Sequence, residues 1–185
     1  MFPQVSKIRN GLWRRPALAG IILRLACLAV VTTLFAPSYL AAAPKFTQFK
    51  LKAMDGSLKT LEDFQGKATL VGFFFPTCVY CNAAFPEIVK IYDKYKDQGL
   101  TMVWINVLPE EEDQIAGWQA EHHYTTIPVV YGATTRALTR AYKIRQTPEH
   151  FLVNEKREIL FRQSGYQPGD EKEVEENVRK ALGLE

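Results

Sequence analysis

Cysteine is scarce in this chain: three among 185 residues, at Cys27, Cys78 and Cys81. So few exclude a scaffold held together by dense disulfides. Acidic side chains are missing from residues 1–43, a stretch that nevertheless carries Lys7, Arg9, Arg14, Arg15 and Arg24. No internal repeat or low-complexity tract is visible, which excludes solenoid arrays and collagen-like or disordered chains. A phosphate-binding loop, a nucleophilic-serine motif and a pair of catalytic carboxylates are missing too. What is present is an ordinary globular composition, 47% hydrophobic and 23% charged, rich enough in Phe, Tyr, Leu, Val and Ile to bury a core. The length suits one domain with a short appendage.

The charge is unevenly placed. Residues 44–185 hold 18 Lys and Arg against 20 Asp and Glu, so the net charge of +3 belongs to the N-terminus. A nucleic-acid surface on the domain is therefore not expected. Residues 1–43 read as an address: basic residues 7–15, an apolar run from Leu25 to Ala36, then the small residues Ala41-Ala42-Ala43. That is the order of a secretory signal. Pro44 directly after the small residues would obstruct cleavage, and residues 17–43 are long enough to cross a bilayer, which takes ~20 apolar residues. A cleaved peptide and a retained membrane anchor both fit, and both export the domain with the basic flank left inside. Arg14-Arg15 is followed by Pro16 rather than by the rest of a twin-arginine signal. Cys27 precedes most of the apolar run, the wrong place for a lipid-anchored cysteine, and reads as a buried thiol of this segment.

Within 44–185, Phe46–Met54 and Leu58–Leu61 flank Asp55-Gly56-Ser57 and read as a hairpin. Ala68–Phe75 is a continuous apolar run, as in a strand covered on both faces. In residues 79–97, Ala84, Ile88, Ile91 and Tyr95 recur at helical spacing, and Gly99 stops the helix. Strands are expected at Thr101–Asn106, Pro128–Tyr131, Phe151–Val153 and Ile159–Gln163. Helices are expected at Glu110–Tyr124, Thr134–Tyr142 and Asp170–Leu182. This alternation, closing on a hairpin and a helix, predicts an α/β domain: a central mixed sheet with helices on both faces.

The domain's two cysteines form Cys78-Val79-Tyr80-Cys81, after an apolar strand and at the start of a helix. Free N–H groups and the helix dipole favour negative charge at that place. Cys78 is therefore expected to ionise readily and act as the nucleophile, with Cys81 one turn further in and able to attack a mixed disulfide on Cys78. Haem attachment would need His after the second cysteine, where Asn82 stands. Structural zinc needs four ligands, and His122, His123 and His150 would have to supply the rest from distant positions. Two inert buried thiols are the plain alternative, and the strand-to-helix context argues against it. Thr147-Pro148 precedes a strand, where a missing N–H does no harm and where the X–Pro cis penalty is small. Read alone, an ordinary turn proline accounts for it.

Taken together, residues 46–182 resemble the thioredoxin superfamily, and within it the exported, redoxin-like TlpA/ResA branch. The residues that carry the resemblance are Gly66-Lys67, Phe73-Phe74 ahead of the cysteines, Pro86, Gly99-Leu100 and the run from Gln146 to Val153. The resemblance implies a thioredoxin fold with an N-terminal β-hairpin, a cis Pro148 beside the cysteines, and Thr147 pairing its backbone with a substrate chain as an added strand would. It implies Cys78 as the attacking thiol and Cys81 as the resolving thiol. Four departures matter: Thr77 replaces the usual Trp, Val79-Tyr80 the usual prolines, and Gly72 and Ala84 stand where many relatives place carboxylates. Buried carboxylates there would assist proton transfer and tune the thiols. The Tyr before Cys81 is shared with some periplasmic disulfide isomerases.

The function expected is a thiol–disulfide oxidoreductase of the cell envelope, acting as a reductase in cytochrome c maturation or copper-site thiol reduction. Its partners would be protein disulfides and a membrane or periplasmic thiol donor. A monomer is expected, with no cofactor beyond a Cys78–Cys81 disulfide and no metal. A copper-binding module is the non-enzymatic alternative, since paired thiolates suit Cu(I). Its relatives space their cysteines three apart and add a distal His; here the gap is two, and His150 reads as a solvated residue. A peroxiredoxin-like peroxidase would need its Pro and Thr several residues before the cysteine, whereas Pro76-Thr77 abut Cys78. Glu110–Asp113 reads as acids complementing a helix start, and Tyr92, Trp104 and Trp118 as core or half-buried residues.

Overall fold

A computed structural model describes residues 43–184. The expected signal or anchor, residues 1–43, and Cys27 lie outside the described residues but for Ala43. One mixed sheet runs through the domain, built from β1 (Lys50–Ala53), β2 (Leu58–Thr60), β3 (Ala68–Phe74), β4 (Leu100–Asn106), β5 (Val129–Tyr131), β6 (Glu149–Asn154) and β7 (Ile159–Ser164). Its order is β2-β1-β5-β4-β3-β6-β7. β3 lies near its centre, parallel to β4 and antiparallel to β6. All seven β3 residues are buried, as its unbroken apolar sequence requires of a strand covered on both faces.

Alternate residues of each strand feed two separate cores. Leu70, Phe74, Met102, Trp104 and Leu152 face α1 (Val79–Tyr95), α2 (Ile115–Glu121) and α4 (Glu171–Leu182), meeting Phe85, Ile88, Ile91, Trp118, Val174 and Val178. Val71, Phe73, Val103, Ile105, Phe151 and Val153 face the other way, onto Phe46, Phe49 and Leu138 of α3 (Thr135–Ala141). Each such side chain removed from water contributes about 1.5–3 kcal/mol. The sheet with helices on both faces is the expected thioredoxin-type α/β fold.

Three elements differ most from the sequence expectation, the first being the leading strand of the hairpin, expected over Phe46–Met54 and found as Lys50–Ala53. The helix expected over 110–124 is a 3-10 stretch, Pro109–Gln114, followed by α2. Pro109 opens it without a capping side chain, Glu110 and Glu111 are drawn off to Arg136 and Thr77, and His123 turns left-handed at φ 60° to end it. β6 begins at Glu149, two residues before the expected start at Phe151. At the far end of α1, Gly99 adopts φ 107°, a conformation that costs glycine little and turns the chain into β4.

Candidate active site

β3 ends at Phe74, and Phe75-Pro76-Thr77 carry the chain to Cys78, the N-cap of α1. Cys78 has extended backbone angles, φ −70° and ψ 107°, and its Sγ accepts the N–H of Cys81 at 3.1 Å. The loop is held at three points. The Cys78 N–H donates to the Phe75 carbonyl at 3.1 Å. Glu111 accepts from the Thr77 N–H at 3.0 Å and from its hydroxyl at 2.7 Å. Asn82 donates to the Pro76 carbonyl at 3.1 Å and accepts from the Trp118 indole at 2.8 Å.

Cys78 and Cys81 are joined in a disulfide. Cys78 is 5% exposed and Cys81 fully buried, while the intervening Val79 and Tyr80 are 77% and 65% exposed. One sulfur thus borders the surface and the other lies within the core, because residues 78 and 81 are about one helical turn apart along an inward-facing row. Across from them the Thr147–Pro148 peptide is cis. The Thr147 hydroxyl lies 3.3 Å from Cys78 Sγ and, with the sulfur in a disulfide, must be the donor. All four residues singled out in the sequence, Cys78, Cys81, Thr147 and Pro148, therefore meet at one end of the sheet.

Thr147 also stands between two clefts. One, of 330 Å³, is lined by Tyr80, Gln146, Ser164, Tyr166 and Asp170. The other, of 260 Å³, is more apolar and lined by Phe75, Val107, Leu108 and Ile144, with Arg145 at its edge. Burial first, and then the neighbouring Glu171 carboxylate, push the Tyr166 phenol up from its ordinary value.

β6 contributes two buried ionisable residues side by side. Glu149 is fully buried and accepts from Arg162 at 2.5 Å and Ser164 at 2.7 Å. His150 points to the opposite face, 1% exposed, and its two ring nitrogens have no hydrogen-bond partner among the described residues. Its ring meets the edge of Trp104 at 5.3 Å. Burial pushes its pKa down from 6.5 to about 4, leaving a neutral imidazole at pH 7. The expectation of a solvated His150 is therefore corrected. Because β6 starts early and is flanked by β3 and β7, position 150 is interior, opposite Gly72 in register. Among the described residues no three His, Cys, Asp or Glu side chains converge as a metal-binding group.

Sequence reasoning missed Glu111, Asn82 and Glu149 as well. Glu111 could not be found from its acidic run, because its partner Thr77 is 34 positions away. Asn82 had one signal, its place directly after Cys81 within the first turn of α1.

A disulfide at a strand-to-helix junction, faced by a cis-proline loop on a thioredoxin-type sheet, defines a thiol–disulfide oxidoreductase. The chain belongs to the Redoxin family, which matches residues 41–180. It is similar to the thiol-disulfide oxidoreductase ResA of Halalkalibacterium halodurans, 26% identical over 153 residues that cover 82% of this chain and 85% of the relative. ResA of Bacillus subtilis is 30% identical over 113 residues, 60% of this chain and 61% of that protein. Among solved structures, a thiol:disulfide interchange protein DsbE from Chlorobium tepidum matches in fold, with TM-score 0.69 and 24% identity over 78% of this chain and 99% of that one.

Proposed function

We propose that this protein is an exported reductase of partner-protein disulfides, with Cys78 as the attacking thiol, Cys81 as the resolving thiol, and Thr147 and Pro148 as the docking loop. The observation that carries the reading is the asymmetry of the two sulfurs. Cys78 Sγ sits at a helix N-cap, takes an N–H from Cys81 and a hydroxyl from Thr147, and borders the surface; Cys81 is sealed in the core. Those donors and the helix dipole stabilise a thiolate on Cys78.

In the reduced enzyme the Cys78 thiolate attacks a partner disulfide. One partner sulfur leaves as a thiolate and a mixed disulfide forms on Cys78. Cys81 then loses its proton, attacks Cys78 Sγ and expels the second partner sulfur. Two electrons pass to the partner, and the Cys78–Cys81 disulfide is left for a donor thiol to reduce. The partner chain runs across Thr147, whose backbone N–H and carbonyl have no bond among the described residues, and pairs there as an added strand. The two clefts flanking Thr147 take its neighbouring side chains, one polar and one apolar.

The address-like N-terminus supports work in the cell envelope, on haem-attachment or copper-site cysteines, with a membrane or periplasmic thiol as electron donor. The protein acts as a monomer without a bound cofactor or metal, and residues 17–43 either anchor it or are removed. No helix among the described residues is long and apolar enough to cross a membrane. The decisive experiment is trapping: Cys81→Ala should accumulate a covalent partner on Cys78, and Cys78→Ala none. Equal trapping by both variants, or by neither, overturns the assignment. A reduction potential near thioredoxin's, ~−270 mV, supports reduction of partners, and one near DsbA's, ~−120 mV, opposes it.

A further inference from the structure

The resolving step needs Cys81 to shed a proton where water has no access. Neither Gly72 on β3 nor Ala84 on α1 offers a carboxylate to take it. Position 72 cannot carry a side chain at all, since a Cβ there would lie 2.4 Å from the Trp104 ring. The strand residue paired with Gly72 is His150, so the ionisable group stands across the ladder from the gap. Paired residues of antiparallel strands project to the same face, and here that face is the core containing Cys81, Phe74, Phe85 and Trp104. Trp104 lies in the same core: its ring meets His150 at 5.3 Å and stacks at 4.0 Å on Phe85, a residue one turn of α1 beyond Cys81.

We infer that His150 is the buried base coupled to Cys81, holding the proton that this thiol gives up as it attacks the mixed disulfide on Cys78. The inference rests on the reading of Cys78 as attacker and Cys81 as resolver. The step balances. Cys81 S–H breaks, its sulfur bonds to Cys78 Sγ, the bond from Cys78 to the partner sulfur breaks, and the partner leaves as a thiolate. The proton passes to His150 and on to solvent, where the partner thiolate recovers one. A neutral imidazole is the right starting state, because it has a free nitrogen to accept with. Negative charge appearing on Cys81 raises its affinity for the proton, the more so in a medium of low dielectric.

Few other charges compete at this face. β3 and β4 present Leu70, Gly72, Phe74, Met102 and Trp104, none of them titratable. β7 presents Gln163 opposite His150, while Arg162 is engaged with Glu149 on the other face. From α4, Val174 and Val178 enter the core, whereas Glu171 turns to Tyr166 and Gly169 and Glu175 to Lys94 and Tyr95. From α1 the charged Glu87 and Lys90 pair with each other at the surface. The titratable side chains that share this core with His150 are the two cysteines, Tyr95, whose hydroxyl donates to Glu175, and the partly buried Tyr92, Tyr124 and Tyr131 at its margin.

The test is stopped-flow reaction of the fully reduced full-length protein with the chromogenic disulfide DTNB, across a range of pH. The first equivalent of thionitrobenzoate reports attack by Cys78 and the second reports Cys81 resolving the mixed disulfide. In His150→Leu the first phase should keep its rate. The second should slow by ~100-fold at neutral pH, the usual scale for a lost general base, with its pH profile displaced upward. His150→Gln, which keeps polarity without a basic nitrogen, should behave like His150→Leu and decides the matter if the Leu variant does not fold. Coincident second-phase profiles in wild type and variant overturn the role of His150 while leaving the cysteine assignment standing. A wild type that shows no fast first phase overturns the cysteine assignment itself.

Discussion

Glu149 and His150 are neighbours in sequence, both ionisable and both buried, yet the sheet treats them oppositely. Glu149 points towards the α3 side, where Arg162 and Ser164 meet its two oxygens. His150 points towards the α1 and α4 side, among aromatic and aliphatic groups and without a polar partner. A strand's two-residue period sends adjacent side chains to opposite faces, so one dipeptide can supply a hydrogen-bonded carboxyl to one core and a neutral, protonatable ring to the other. The two hydrogen bonds satisfy the Glu149 carboxyl in the interior, where a polar group left without partners is heavily penalised. Burial, with no partner to offset it, explains why His150 stays neutral. Structure is stabilised on one side of the strand, and chemistry is left available on the other.

The sharpest way to break that contrast is to remove the partner from Glu149. Arg162→Leu leaves a fully buried carboxylate with Ser164 as its one remaining side-chain donor, and also removes the guanidinium lying over the Phe151 ring at 5.0 Å. Breaking a buried pair from one side costs about 3–5 kcal/mol. Arg162 is itself partly exposed, so the lower end of that range is expected in urea unfolding. The double variant Glu149→Leu/Arg162→Leu should recover most of the loss, since apolar replacement of both partners is often close to neutral. If the double variant is as unstable as the single one, the pair is not what stabilises this face.

His150 gives the comparison a pH axis. Its folded pKa of about 4 lies below the unfolded value near 6.5, so between these pH values the unfolded chain binds a proton that the folded one refuses. Stability therefore falls as pH drops from about 6.5 towards 4, and is unaffected by this group above 6.5. Each pH unit across that interval removes about 1.4 kcal/mol, so the full loss is of order 3 kcal/mol. Urea unfolding of the oxidised protein at neutral and acid pH checks this, with His150→Leu as reference. The wild type should lose more than the variant over that interval, and parallel losses would mean that the ring is protonated in the folded state.

What the sequence disclosed followed from how locally each feature is encoded. β3 was legible because an unbroken apolar run has few other uses, and the cysteine pair because its spacing and its strand–helix context are contiguous. The cis geometry at Pro148 came only through the family resemblance; alone, the dipeptide Thr147-Pro148 fits any turn. His150 was misread because Glu149-His150 looks like two solvated residues before a strand. Its true setting depends on register with Gly72, whose own emptiness depends on Trp104 from a third strand. Contacts assembled from three strands leave no contiguous trace.

Glu111 shows the same limit with a smaller consequence. Read as a helix-start acid, it is instead bonded to both polar groups of Thr77, the residue before Cys78. Its charge beside the attacking sulfur opposes the thiolate that the helix N-terminus favours, while its two hydrogen bonds hold the loop in place. Glu111→Gln separates these effects, because the amide keeps one acceptor oxygen and loses the charge. With like charge removed, the thiolate gains, so the pH midpoint for iodoacetamide alkylation of Cys78 in the reduced protein should move down. Because the carboxylate is partly solvated, the midpoint should fall by less than ~1 on the pH scale, worth under ~1.4 kcal/mol. Glu111→Ala removes the charge and both hydrogen bonds; if its midpoint coincides with that of Glu111→Gln, charge alone sets the effect, and if it returns upward, the loop bonds were holding the sulfur at the N-cap. An upward move in Glu111→Gln itself would mean that this side chain acts on Cys78 by position and not by charge, which would align it with Glu149 as a structural acid.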